Sequence, residues 1–479
     1  MTDATMTPRR SGRAVSLPLA SHRQSLVNDI LGWALIVFVA LVPIPFGSAR
    51  PIFWTINAAA IGLAGTAYAI ALIRLDEPFR YGPGRLPVAT LLFTLFALFL
   101  VVQALPIGQL GIPSFEPILS FQSPAGTAIA APAISLAPGA TWLMLLRWLT
   151  FGLLFLLTLQ AAGSERRASL MLQSALLVIA FYAILGIATL MQLGDTILGL
   201  DKWAYQGSAT ATFVNRNSFA TFLAFGAVIS CALLAGSLIR QLPEPGDAPQ
   251  RRRFDMMVFL YVGALVAIIA ALLATQSRMG AFSAMAGCLV VAMAALLRMP
   301  RIWAKALLLL PVIAVAAGLA VFVYGQNLLD RLGSTAESSD VRLELYAQVL
   351  QMIAARPWTG YGGGSFEMAF PLFHQLPVSP DLLWEKAHNT YLAMWAELGL
   401  VAGSIPILLG LLALLRSLRG LRTARRGWAA RAAAIGCLVT AGLHSLVDFS
   451  LEIQADAIML LFVVGIAGAA SLRSQEAQN

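Results

Sequence analysis

At 479 residues, with 59% hydrophobic and 11% charged side chains, the chain lies outside the range of soluble globular domains and falls in the membrane class; its mean hydropathy is +0.79. The net charge of +9 sits in short clusters between apolar runs, so it forms topology signals rather than the folded basic face that nucleic acid needs. Cys231, Cys288 and Cys437 all fall inside apolar runs and give neither a disulfide framework nor a metal-ligand spacing.

The first 28 residues are polar, carry Arg9, Arg10, Arg13 and Arg23, and read as a disordered cytoplasmic tail before an uncleaved signal anchor. Twelve apolar runs follow, each able to cross a hydrocarbon core of roughly 30 Å. They lie near 29–48, 52–73, 86–106, 141–161, 169–193, 217–239, 255–275, 280–297, 306–324, 389–415, 431–451 and 456–472. The expected fold is an all-α polytopic membrane protein with about 12 transmembrane helices. Of the 32 basic residues, 23 fall in alternate connections beginning with the N-terminal tail, eight in the others, and Arg147 within a helix. The positive-inside rule then predicts both termini to be cytoplasmic. The domain plan is a tail over 1–28, nine helices over 29–324, a large outer loop over 325–388, three helices over 389–472 and a second tail over 473–479.

Two outer segments are long. The first, over 107–140, has no basic residue and is rich in Pro, Ser, Ala and Gly, which predicts an irregular loop. Within the second, SSDVRLELYAQVLQMIAARPW predicts an amphipathic helix capped by Asp340 and ended by Pro357, with Val341, Leu345, Val349 and Met352 on one face. That start puts Arg342 in the first turn, where free N–H groups favour an anion. The glycines of RPWTGYGGGSF fit a phosphate-cradling nest, but no strand, lysine and helix of a nucleotide loop accompany them. A tight turn using positive φ is the favoured role.

Ionisable residues in or beside spans are candidates for function, and here they share the outer membrane boundary. Arg147 lies a turn or two below the outer end of span four. Arg216, in ATFVNRNSFATF, and Arg278, in ATQSRMGAF, sit at outer helix ends, and His388, in EKAHNTYLAMWAELGL, heads span ten. Glu397 is nine residues deeper, about 13 Å at ~1.5 Å per residue; His444 and Asp448 fall in the outer half of span eleven. An arginine at a helix end often just snorkels to the interface. Arg216 and Arg278, however, stand where positive-inside bias works against them, which favours function. Arg147 and His444 fit hydrogen bonding within or between helices, and Arg331 a solvated loop. No Asp-x-Asp, HExxH or GxSxG occurs, so metal-bound sugar nucleotide, zinc hydrolysis and serine hydrolysis lack their residues.

The order of NRN, then SRMG, then an outer loop carrying DVRLELYAQVL and RPWTGYGGGSF, then HNTYLAMWAELGL, resembles the O-antigen ligase and polymerase superfamily of bacterial envelope glycosyltransferases. The resemblance covers most of the chain and is strongest over 207–450. It implies a C-type membrane glycosyltransferase fold with a large, partly helical periplasmic loop, in the bacterial inner membrane. It implies transfer of a glycan from undecaprenyl diphosphate at the periplasmic face, to lipid A core in the ligase branch or to another carrier-linked unit in the polymerase branch. The family's two outer arginines and loop histidine match Arg278, Arg342 and His388. Gly399 and Gly403 enclose LVA, one residue more than the family's usual glycine pair, while the matching histidine favours the ligase branch.

Physical chemistry agrees with that reading. A departing lipid diphosphate gains negative charge, which Arg278, Arg342 and Arg216 can hold bidentately with neither a metal nor a cofactor. A histidine is suited to take an acceptor hydroxyl's proton near neutral pH, and His388 is the candidate base. Asn389, Glu397, Arg147 and Asp448 are candidate supporting residues. Direct attack inverts the anomeric centre. The expected partners are the lipid-linked glycan donor, a lipid A core or glycan acceptor, and membrane lipids, with no nucleic acid. A lipid-linked glycan flippase is the contrasting reading, but transporters place their working residues near the midplane.

Overall fold

A computed structural model of the protein describes residues 19–107, 120–122, 128–130, 133–240, 256–298, 328–381, 383–421 and 426–476. Its helices are α1 (Leu19–Leu41), α2 (Pro51–Leu75), α3 (Pro87–Ala104), α4 (Pro138–Ala161), α5 (Glu165–Met191), α6 (Arg216–Arg240), α7 (Met257–Ala274), α8 (Arg278–Leu296), α9 (Leu328–Ala355), α10 (Phe366–Ala369), α11 (Thr390–Leu421), α12 (Trp428–His444) and α13 (Gln454–Glu476). Among the described residues, ten helices are long and apolar enough to cross a membrane: α1 to α8, α11 and α13. The chain is thus an all-α, multi-pass membrane protein. The eleventh expected span is α12, at 17 residues. The ninth, over 306–324, lies outside the described residues, as do the first 18 residues, Arg251 to Arg253 and most of 108–132.

The local chemistry explains the helix starts. Pro51, Pro87 and Pro138 occupy first-turn positions that need no N–H donor. Ser164 and Ser277 cap α5 and α8 by accepting from Arg167 N and Gly280 N. The helices then sort by burial: the apolar windows of α6 and α13 are 89% buried and those of α2 and α3 only 22%. α6, α8 and α12 pack on one another through small residues, as membrane helices do without a hydrophobic drive. A Cβ on Gly287 of α8 would lie 2.2 Å from Thr440 Oγ1 of α12.

Besides starting α1 at Leu19, inside the segment expected to be a disordered tail, the structure differs from the sequence reading at four places. α9 begins at Leu328, so Arg331 lies in its first turn rather than in a loop, Asp340 is not its cap, and Arg342 lies near its middle, away from the free N–H groups of a first turn. No proline interrupts the stretch, and its leucine, alanine and glutamate sustain helix across the serines. Three of the four residues of the expected face, Leu345, Val349 and Met352, are fully buried, and Val341 is half-buried. α12 stops at His444, and Asp448 belongs to the connector ahead of the short 3-10 turn at Ser450–Glu452. The 107–140 loop contains one antiparallel pair, β1 (Ser120–Gln122) with β2 (Ala128–Ala130). A second pair, β3 (Thr196–Ile197) with β4 (Leu200–Asp201), precedes α6.

The fourth difference is in α11, which is broken at Gly399 (φ 73°, ψ 168°) rather than continuous. The glycine-rich stretch docks on that break. Tyr361 N and Gly362 N donate to the carbonyls of Ala396 and Glu397, and Leu400 N donates to Pro357 O at 2.7 Å. Gln103 Nε2 adds a bond to Glu397 O at 3.0 Å. Broken backbone at membrane depth is tolerated only when such partners satisfy it. The glycines are there for close approach: a Cβ on Gly360 would meet Glu397 O at 2.3 Å, and one on Gly399 would meet Trp358 O at 2.4 Å. Gly360, Gly362 and Gly364 all have positive φ, as the turn reading required.

Candidate active site

The segment 384–390 carries His388 into α11, and its conformation is unusual. His388 has φ +51°, a left-handed value for a residue with a side chain. Asn389 Oδ1 caps α11 by accepting from Tyr391 N and Leu392 N, and its Nδ2 donates to Leu446 O at 2.8 Å. Its amide is therefore committed to holding backbone rather than to orienting the imidazole. Thr390 N donates to Ser445 O and Thr390 Oγ1 to Asp448 O, both at 3.0 Å. The Tyr346 hydroxyl donates to His388 O at 2.9 Å, tying the segment to α9. The half-buried His388 ring meets Phe449 edge-on, centroids 5.2 Å apart, with Trp384 at 6.1 Å.

Charges of both signs bear on this ring. Burial pushes the His388 pKa below its ordinary value; Asp448 opposes that shift, Arg342 reinforces it and Glu452 opposes it. Asp448 Oδ2 accepts from the Ser450 hydroxyl, and Oδ1 accepts from Asn217 Nδ2 at 3.5 Å. His444, beneath it in α12, has Nδ1 2.9 Å from Thr221 Oγ1 of α6, the interhelical bond expected of it. Arg216, beside Asn217, lies over the Tyr205 ring at 5.6 Å and donates to Ser208 Oγ at 3.4 Å. Burial raises the Tyr205 pKa, and Asp448, Arg216 and Arg342 all act on it. His388, Arg342, Arg216 and Asp448 thus form one neighbourhood.

Arg278 is exposed and opens α8. It shares the end of the bundle with Arg216: Gly280 lets α8 approach Ala220 of α6 within 2.5 Å of a would-be Cβ, and Gln276 Nε2 donates to Gly207 O at 2.9 Å. Its position is that of a second cation at the same rim.

Arg147 and Glu397 belong to a second cluster, centred on Lys386 and Glu452. Arg147, buried, donates to Glu452 O at 3.2 Å and lies over the Trp54 ring at 4.7 Å. Lys386 Nζ pairs with Glu452 Oε2 at 2.8 Å. Glu397 Oε1 accepts from Phe366 N at 3.1 Å, bonding α11 to the start of α10. These residues line a cavity of about 1770 Å³ whose body is apolar, with Phe93, Leu153, Phe155, Leu411, Leu461 and Val464 in its wall. It runs from Trp203 and Tyr205 at one end to Arg416 and Arg419 at the other. Sequence reasoning gave Lys386 only a topological role and missed Glu452, Tyr205 and Tyr346. A signal was present: Asp448, Glu452 and Asp456 recur every fourth residue in an otherwise apolar stretch.

Residues 263–407 match the family model described as O-Antigen ligase. That region runs from α7 into α11 and contains Arg278, Arg342, His388, the glycine-rich stretch and the Gly399 break. No curated protein matches the chain. The family match falls on the residues that build the site and supports the O-antigen ligase superfamily for this region of the chain.

Proposed function

We propose that the protein transfers a glycan from undecaprenyl diphosphate to a sugar hydroxyl of lipid A core, at the periplasmic face of the bacterial inner membrane. His388 takes the proton of the acceptor hydroxyl as its oxygen attacks the anomeric carbon. The bond from that carbon to the diphosphate oxygen breaks, and the configuration inverts. Arg216, Arg278 and Arg342 hold the departing diphosphate; each arginine about 4 Å from a phosphate charge contributes about 4 kcal/mol at an effective dielectric near 20, before desolvation.

The observation that carries this reading is the fixing of His388, in a strained backbone geometry, beside Arg342 and Asp448. Strain of that kind collects at functional sites. Burial keeps the imidazole neutral and able to accept a proton at neutral pH. The neighbouring apolar cavity, about 1770 Å³ and partly lined by Tyr205 and Asn215 next to Arg216, suits substrates carrying long lipid chains.

Deletion of the gene followed by gel analysis of surface polysaccharide tests the branch. Full-length glycan stranded on its carrier is the expected result. Accumulated single repeat units would instead assign a repeat-unit polymerase, and carrier trapped in the cytoplasm a flippase. For the purified protein, transfer with the polyprenyl diphosphate glycan and core acceptor is expected to persist in chelator; loss restored by a divalent ion overturns the metal-free part of the scheme.

A further inference from the structure

His388 is anchored unevenly. On its C-terminal side, three bonds from Asn389 and Thr390 fix the chain to residues 445–448. On its N-terminal side Ala387 is buried and Trp384 Nε1 donates to Ser379 O at 3.0 Å, but nothing in those two contacts ties the leg to residues 445–453, and Trp384 and Lys386 are half-exposed and Glu385 exposed. A left-handed backbone at a residue with a side chain persists only where its surroundings over-determine it. A tie from the N-terminal leg to that same connector would complete the hold.

Lys386 meets that requirement. Its ammonium reaches across to Glu452 at 2.8 Å, on the same connector between α12 and α13 that receives Asn389 and Thr390. Glu452 Oε1 has no hydrogen-bond partner among the described residues, so the carboxylate rests on Lys386 through its other oxygen. The carbonyl of Glu452 accepts from Arg147, which fixes the receiving end to α4. We propose that the Lys386–Glu452 ion pair is a positioning device for His388, clamping the N-terminal leg of the segment so that the imidazole keeps its place between Phe449 and Trp384. Three charged groups act on Lys386: Glu452, Glu397 and Arg147. Burial alone lowers its pKa, but Glu452 by charge and hydrogen bond, with Glu397, more than offsets that, and the ammonium stays charged. Because the pair is internally neutralised, it acts through His388 rather than by binding the anionic donor.

This inference rests on the reading of His388 as the base. It is tested in the full-length purified enzyme with the lipid-linked donor, measuring kcat and donor KM separately. Lys386→Met and Glu452→Gln are each expected to lower kcat by about ten- to a hundredfold with donor KM unchanged, the scale expected for displacing a reacting group by about 1 Å. The double variant should lose no more than either single one, because both break the same contact. Lys386→Arg should remain within about twofold of the parent, since it keeps charge and reach. In a His388→Ala background, Lys386→Met should change nothing further.

Wild-type kcat in both Lys386→Met and Glu452→Gln overturns the proposal. So does a rise in donor KM with unchanged kcat, which would make Lys386 a substrate contact. If Lys386→Met does not yield folded protein, Glu452→Gln and Lys386→Arg carry the same decision. Full activity in His388→Ala would instead remove the base reading itself, a result that Lys386→Met at wild-type kcat leaves untouched.

Discussion

The two clusters that meet at the 384–390 segment use the same kinds of side chain to different ends. On one side Arg342 and Asp448 act on His388, and Arg216, on the Tyr205 ring that both of them also act on, stands near by with Arg278 at the same rim. On the other, Lys386 and Arg147 are matched by Glu452 and Glu397 over an apolar cavity. Where cations exceed acids, the surplus can receive an incoming anion; where they balance, the ions hold a wall together. Sequence alone drew part of that distinction, giving Arg147 to hydrogen bonding between helices and Arg278 to function, but it could not show which acids stand beside each arginine.

The largest expected effects test the first side. His388→Ala should leave the protein inserted in the membrane while lowering transfer by about 10²–10⁴-fold, the range general base catalysis supplies. Arg278→Ala and Arg342→Ala should each cost about 10²–10³-fold, comparable to removing one preorganised donor from a charge-developing site. All are measured as turnover of purified enzyme. On the second side, Arg147→Met should act on stability, by about 1–3 kcal/mol for losing a hydrogen bond made by a charged donor, read as a lower melting temperature. An Arg147→Met protein that melts like the parent yet transfers no glycan would move Arg147 to the catalytic side.

The helical plan was legible because each span is a long apolar run and the expected buried face of α9, with Leu345, Val349 and Met352, follows helical spacing. The break at Gly399 was not, since nothing in AELGLVAG shows that residues 357–362 will supply its missing hydrogen bonds. For the same reason the pairing of Lys386 with Glu452 was hidden: the two meet only because separate connections converge at one end of the bundle. His388, Arg278 and Arg216 stood out because charge beside apolar runs is rare, and Arg342 because it matched the family's second arginine.

A medium effect on stability probes that break. Gly399→Ala places a Cβ 2.4 Å from Trp358 O in a backbone region reserved for glycine, adding about 1–3 kcal/mol of strain beyond the clash. Gly263→Ala on α7, with nothing within 4 Å, is the control and should melt like the parent. Equal melting temperatures for the two variants would mean that the glycine-rich stretch does not stay docked on α11.

The smallest effect is a shift of pH profile, and its sign discriminates between the neighbours of His388. Burial lowers the imidazole pKa, so the base remains neutral to a lower pH than the ordinary histidine value of about 6.5. The acidic limb of kcat/KM should therefore fall below that value. The same shift makes His388 favour folding fully above the unfolded pKa, and that contribution is lost as pH falls towards the folded one. Asp448 and Glu452 raise the His388 pKa while Arg342 lowers it. Hence Asp448→Asn should move the limb further down and Arg342→Gln should move it up, whatever each does to the height of the profile. The limb's position separates electrostatic action on His388 from contact with the diphosphate, because losing a phosphate contact lowers the whole curve without sliding it. A limb unmoved in both variants would mean that neither charge acts on the group whose protonation limits the rate, and would take His388 out of that role.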